Sequence, residues 1–255
     1  SHRYPVGFSG DTTITWESLQ FQPYFTATAS NIGYGWWSHD IGGHMGGYKD
    51  VELLLRWVQL GVFSPINRLH SSRSWWMQKE PWANDFATAE CMKAWLRLRH
   101  QLFPYLYRMN HRCHTELAPL VQPMYYSHPK CAMAYRVPNQ FWFGTELLVA
   151  PITTPNDSIA HLGKTEVWLP EGEWFDFFTG MRYSGLGGRQ ISVSRNVTSM
   201  PVFAKAGSII PTAHYSDNRL CCSEQMEVLV FPGADGGRAD IAGSLRVILV
   251  IIDAL

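Results

Sequence analysis

No apolar run in the 255-residue chain is long enough to cross a bilayer as a helix, which takes about 20 residues. The longest such run, Val247 to Ile252, is the size of a strand. Net charge is missing too. Lys plus Arg and Asp plus Glu stand at 21 each, so no broad field draws in nucleic acid or an anionic membrane surface, and neutral ligands are the natural expectation. Cysteine is scarce. Five residues, scattered and with Cys221 and Cys222 adjacent, make no disulfide framework and favour a reducing, cytoplasmic compartment over secretion. The sequons at Asn156 and Asn196 bear on the protein only if a eukaryote secretes it. The chain lacks an initiator Met and a signal-peptide pattern, and Ser1 to Gly7 reads as the interior of something longer. Also absent are a glycine-rich phosphate loop, a serine nucleophile elbow and a Cys-x-x-Cys pair.

What is present is a globular composition, 46% hydrophobic and 16% charged. Its texture changes along the chain. In the first part, the apolar segment Ile32 to Trp37 runs into polar Ser38-His39-Asp40, and Val51 to Leu60 has helical spacing. The apolar run Gly61 to Pro65 then leads to polar Asn67, Arg68 and His70, and a long helical stretch covers about Ala87 to Leu117. Pro104 should kink that stretch or divide it in two. Apolar run, polar loop and helix in repetition is the pattern of β/α units. From Pro123 onward the strand candidates are short. They are Phe141–Phe143, Leu147–Ile152, Glu166–Leu169, Gln190–Val193, Pro201–Ala204, Ser208–Ile210 and Met226–Phe231, with turn signals between them. That spacing predicts a β-sandwich. The fold class expected is therefore α/β plus all-β. Residues 1–118 are too few for a whole (β/α)8 barrel of about 250 residues and read as its C-terminal units. Residues 119–213 read as a proximal β-sandwich, and 214–255 as the start of a truncated or aberrant distal β domain.

The residues able to do chemistry each have a plain reading beside the functional one. Asp11 follows Phe8-Ser9-Gly10, and taken alone it reads first as a helix N-cap. His39 and His44 flank Asp40 and a glycine pair, but no third ligand stands at a usual metal spacing, so a structural loop is preferred to a metal site. His111 and His114 share a helix face and read as surface. His70 alone reads as a hydrogen-bonded loop residue. Together, however, Asp11, Asp40 and His70 end three successive apolar segments, which suggests one polar pocket on one barrel face.

Several ordered blocks carry a resemblance. They are Phe8 to Trp16 (FSGDTTITW), Trp37 to His44 (WSHDIGGH), Phe63 to His70 (FSPINRLH), Leu147 to Ile152 (LLVAPI), Trp168 to Trp174 (WLPEGEW) and Pro201 to Pro211 (PVFAKAGSIIP). From Arg3 to about Gly236 the sequence resembles glycoside hydrolase family 31, the α-glucosidase and α-xylosidase family. The resemblance implies a (β/α)8 barrel followed by β-sandwich domains, and cleavage of α-glycosidic bonds with retention. It places Asp11 as general acid/base after the sixth barrel strand, Asp40 after the seventh and His70 after the eighth. Asp40 and His70 would bind the sugar, and Phe8 would line the pocket. The family's nucleophile, an Asp in a Trp-rich motif, has no counterpart in these 255 residues and is expected upstream of Ser1. A sugar-binding Arg before the acid/base also has no counterpart. After Pro232 to Gly236 the family's aromatic strand and acidic turn do not follow, and Gly237 to Leu255 departs from the pattern.

The partner implied is an oligosaccharide or glycoside, with no nucleic acid, no membrane, no metal and no organic cofactor. The 14% aromatic content, 11 Trp included, serves a core and equally suits stacking on sugar rings. A second copy of the chain, forming a homo-oligomer, is a further expected partner if apolar barrel surface is left uncovered. The alternative from another class is a catalytically inactive fragment or sugar-binding module, which the missing nucleophile motif favours.

Overall fold

The computed structural model describes residues 6–72, 77–213, 225–233 and 246–251. Two short parallel neighbours, β1 (Val6–Phe8) and β2 (Trp36–Ser38), set Phe8 opposite Ser38. Each leads through a loop into a helix, α1 (Trp16–Ala29) and α2 (Val51–Val62). The N-cap of α1 is Thr15, whose hydroxyl accepts from the Ser18 N–H. Asp11 therefore does not cap the helix, and the plain reading of that residue is corrected. Asp50 caps α2 through the Leu53 N–H, and its other carboxylate oxygen accepts from Trp16 Nε1 at 3.0 Å, so the two units share one side chain.

The third unit differs from expectation. Gly61 to Pro65 is not a strand: its first two residues are the last turn of α2, and Phe63 is the C-cap. Every residue of α2 from Leu53 to Val62 is buried, Arg56 and Gln59 among them, and its last turn, Leu60 to Val62, runs without a polar side chain into Phe63. Apolarity alone cannot separate such a helix end from a buried strand. Gly61 sits where a Cβ would come within 2.5 Å of Ile41, and this close approach seats α2 against the end of β2. The strand-like pairing comes later, as a parallel bridge between Ile41 and Leu69, extended by Ser72 N–H donating to the His44 carbonyl.

Pro104 divides the long helical stretch as expected. It stands in the first turn of α4 (Phe103–Glu116), which follows α3 (Phe86–Gln101) across Leu102. No helix among the described residues is long and apolar enough to cross a membrane.

From Val121 the chain is built of strands: β3 (Val121–Pro123), β4 (Phe141–Phe143), β5 (Leu147–Val149), β6 (Gly163–Leu169), β7 (Glu173–Asp176), β8 (Arg182–Ser184), β9 (Arg189–Arg195), β10 (Val202–Lys205), β11 (Ile209–Ala213), β12 (Gln225–Val230) and β13 (Arg246–Ile251). The main sheet is antiparallel throughout, in the order β3-β4-β5-β10-β7-β8. The pair β6-β9 forms a second sheet, and β11-β12-β13 a third in which β12 and β13 run parallel.

Alternation across the main sheet shows where the core sits. Phe141, Phe143, Leu147, Val149, Phe175, Val202 and Ala204 pack with α2, α3 and α4 in one cluster. The residues between them, Trp142, Leu148, Trp174 and Phe203, pack with Val167, Leu169 and Val193 of β6-β9 in another. The sheet is thus the middle of three layers, and a strand covered on both faces reads as a continuous apolar run. That explains FWF and LLV in the sequence. The architecture is a partial barrel of β/α units followed by a β-sandwich.

Polar groups stitch helix layer to sheet. Arg56 of α2 has no exposed side-chain surface. Its Nη1 donates to the Ser199 carbonyl at 2.7 Å, and its Nη2 to Asn156 Oδ1 at 2.9 Å and the Arg195 carbonyl at 3.1 Å. Gln59, one turn on, donates to the Val197 carbonyl at 2.7 Å. Tyr105 of α4 donates to the Phe143 carbonyl at 2.8 Å. Residues 1–5, Cys221, Cys222 and 237–245, on which some expectations fall, lie outside the described residues.

Candidate active site

The loops at the carboxyl ends of β1, β2 and the bridged segment at Leu69 are tied to one another by backbone. Ser9 N–H donates to the Ser38 carbonyl, His44 N–H to the Thr12 carbonyl and Ile41 N–H to the Arg68 carbonyl. The turn Asp40 to His44 depends on glycine. Gly43 has φ +74°, and a Cβ there would stand 2.9 Å from the Ile14 backbone. A side chain at that position would push the two loops apart.

These ties bring Phe8, Asp11, Asp40 and His70 to one place. Asp40 is fully buried. Its Oδ1 accepts from Arg68 Nη2 at 2.9 Å, and its Oδ2 from the Thr12 N–H at 3.2 Å. Both oxygens are thus engaged and the carboxylate is locked. The Arg68 guanidinium carbon also lies 4.9 Å from the centre of the Phe8 ring, a cation–π contact at a half-exposed aromatic. Asp11 is the opposite case. Its side chain is 50% exposed, and Oδ2 stands 3.7 Å from His44 Nε2. The His44 ring stacks on His70 with centroids 4.5 Å apart. Two carboxylates at adjacent strand ends therefore occupy contrasting environments, one locked and one free to move against a ligand.

His39, beside Asp40, faces away from the pocket into α2. Trp57 Nε1 donates to His39 Nδ1 at 3.2 Å, and His39 Nε2 lies 2.9 Å from Ser64 Oγ. An indole N–H only donates, so Nδ1 accepts and the ring proton sits on Nε2. Ser64 Oγ–H in turn donates to the Leu60 carbonyl at 2.8 Å. Burial, with the Arg68 charge adding to it, pushes the His39 pKa down to about 4. Arg99 fixes the adjoining turn by donating to the carbonyls of Val62, Ser64 and Pro65, at 2.7, 2.7 and 2.8 Å. The chain that leaves α2 toward Arg68 and His70 is thereby held from both sides.

A pH dependence follows. Between an unfolded value near 6.5 and the folded value of about 4, the unfolded chain binds a proton at His39 that the folded chain refuses. The His39 contribution is complete above pH 6.5 and is lost as pH falls toward 4, by up to roughly 3 kcal/mol. Urea midpoints at pH 7 and pH 4.5 should show the loss, and His39→Gln, which keeps an acceptor and a donor, should flatten it. An equal acid loss in the variant would show that His39 does not carry it.

Of the six pocket residues, Phe8, Asp11, Asp40 and His70 stand out in the sequence, and His44 and Arg68 gain a role only in the fold. His44 belongs to the WSHDIGGH segment, but its aim at Asp11 depends on the glycine turn. Arg68 lay beside His70, and only the fold shows it paired with Asp40. The fold does not complete the pair His39 and His44, since His39 turns into α2, but it gathers another set: ligand atoms of Asp40, His44 and His70 all lie within 4.8 Å of one another.

Carboxylates, imidazoles and a guanidinium gathered at the carboxyl ends of parallel β/α strands mark the catalytic face of a barrel enzyme. The comparisons give the family. Residues 1–109 match the glycosyl hydrolases family 31 TIM-barrel domain, and residues 117–210 match the glycosyl hydrolase family 31 C-terminal domain. The chain belongs to glycoside hydrolase family 31. It is 30% identical over 237 residues to Alpha-glucosidase 2 of Bacillus thermoamyloliquefaciens, covering 93% of this chain and 29% of that protein. It is 28% identical over 239 residues to the Alpha-xylosidase of Saccharolobus solfataricus, covering 91% of this chain and 31% of that one. Among solved structures, a mutant of the Flavobacterium johnsoniae GH31 dextranase complexed with isomaltotriose aligns with a TM-score of 0.79 at 31% identity, covering 91% of this chain and 29% of the other. The chain thus spans less than a third of the length of these relatives.

Proposed function

We propose that this chain carries the acid/base half of a retaining α-glycosidase of α-glucosidase or α-xylosidase type. Asp11 is the general acid/base, Asp40 and His70 hold sugar hydroxyls, and Phe8 lines the pocket. The observation that carries this reading is the contrast between the two carboxylates. Such pairs divide roles by environment. Asp40 is buried and held in one orientation by Arg68 and Thr12, which suits binding. Asp11 is half exposed beside it, which suits delivering a proton to a leaving oxygen and taking one from water.

Retaining chemistry also needs a nucleophile about 5–5.5 Å from the acid/base. The Trp-rich Asp motif that would supply it has no counterpart in these 255 residues, so the nucleophile is assigned to a segment outside this chain. Residues 1–118 are then barrel units, 119–213 a proximal sandwich, and 214–255 the start of a further β domain. The substrate is a neutral α-glycoside. Proton NMR of the full-length protein acting on an α-glucoside tests the assignment. The first-formed sugar should be the α-anomer, and β-anomer appearing first would overturn retention. Saturable sugar binding with no turnover would put the sugar-binding reading in its place.

A further inference from the structure

We propose that the same pocket captures a borderline transition-metal ion, Zn²⁺ or Cu²⁺, and that a captured ion closes it to sugar. The second half of this rests on the glycosidase reading above. Asp40, His44 and His70 offer ligand atoms within 4.8 Å of one another. Asp11 Oδ2 adds a fourth donor, 3.7 Å from His44 Nε2. Two ligands on one tetrahedral zinc, each about 2.0–2.2 Å from it, stand roughly 3.4 Å apart. The Asp11–His44 pair is already close to that spacing, and Asp40, His44 and His70 need to close by at most about 1.4 Å to reach it, which the partly exposed His44 and His70 can supply by side-chain rotation. Two imidazoles among the donors select Zn²⁺ or Cu²⁺ over Mg²⁺ or Ca²⁺.

Two features make this an intercepting site rather than a resident metal centre. Resident ligand histidines almost always donate their second ring nitrogen to a partner, whereas His44 Nδ1 is buried with no hydrogen-bond partner. The Arg68 guanidinium, 2.9 Å from Asp40, repels a cation and competes for one of its donors. The ion and the sugar cannot share the pocket, because the ion would occupy Asp11, Asp40 and His70 together.

Titration of the full-length protein with ZnCl₂ by calorimetry tests this. One site is expected, weakened at least about tenfold by His44→Gln or His70→Gln and tightened severalfold by Arg68→Met, which removes the competing charge. The exposed His111 and His114 on α4 are the rival site. Binding that survives the pocket variants and falls with His111→Gln/His114→Gln overturns the proposal. If the pocket variants fail to fold, Co²⁺ on the His111→Gln/His114→Gln protein decides: visible bands of a low-coordinate N/O site, bleached by Zn²⁺ and by glucose, support it, and their absence overturns it. Glucose should displace the ion. Zinc binding that follows the pocket variants but is indifferent to glucose would leave the metal site standing and count against the glycosidase reading.

Discussion

Asp11→Asn in the full-length protein is expected to lower kcat on substrates with poor leaving groups by about 10²–10⁴-fold, the usual worth of general acid/base catalysis. The loss should depend on the leaving group. A disaccharide must have its departing oxygen protonated, and an amide cannot supply that proton. An activated aryl α-glycoside departs without help, so its first step should be nearly untouched and a glycosyl-enzyme should accumulate. Water then attacks slowly, because the base is also gone. Azide needs no deprotonation and should restore turnover of the aryl substrate, yielding the glycosyl azide. KM for the aryl substrate should fall, since the intermediate builds up. The half-exposed position of Asp11 is what allows a small anion to enter beside it. Equal losses on both substrates with no azide product would remove Asp11 from the acid/base role, whatever else it does in the pocket.

How much of this was legible beforehand depends on range. Elements with a local signature were readable. FWF and LLV stood out as strands because both faces are covered, and Pro104 marked the break between α3 and α4. The strands β3, β7 and β8 were not read. At three or four positions each is too short to show a period of its own, and β7 and β8 are a local hairpin whose strands are shorter than the turn between them. Gly61 to Pro65 was misread because burial by tertiary packing makes a helix end and a strand look alike. At the site, the types and order of Phe8, Asp11, Asp40 and His70 showed in the sequence, since each ends an apolar segment. The partnerships did not. That Asp40 answers to Arg68 and Thr12, and Asp11 to His44, is a matter of parallel pairing between segments about 30 residues apart. The same long-range pairing brings His70 to His44 and defeats any argument from ligand spacing.

Arg56→Met should be the most damaging change away from the pocket, destabilising the protein by about 3–5 kcal/mol, the usual cost of breaking a buried charged network. Methionine preserves the stem and its packing, so the loss isolates the guanidinium. That group is fully buried and forks between α2 and the sandwich, serving the Ser199 and Arg195 carbonyls and Asn156 Oδ1. Burial lowers its pKa to about 10, which leaves it charged at neutral pH, and raises that of Glu52, its i,i+4 neighbour on the same helix. Some buried ion pairs can be replaced by apolar residues at no cost, but there both partners are removed. Here two of the acceptors are backbone carbonyls, those of the half-buried Arg195 and Ser199, that no substitution at position 56 takes away, and each would lose its charged donor. Lysine keeps the charge but not the fork, so Arg56→Lys should recover only part of the loss. In a thermal melt the methionine variant should unfold about 10 °C lower. The transition should also broaden or split, because Arg56 and Gln59 are what couple α2 to the segment from Arg195 to Ser199. A change under about 1 kcal/mol with a single sharp transition would mean that apolar packing of α2, α3 and α4 on the main sheet holds the two parts together by itself.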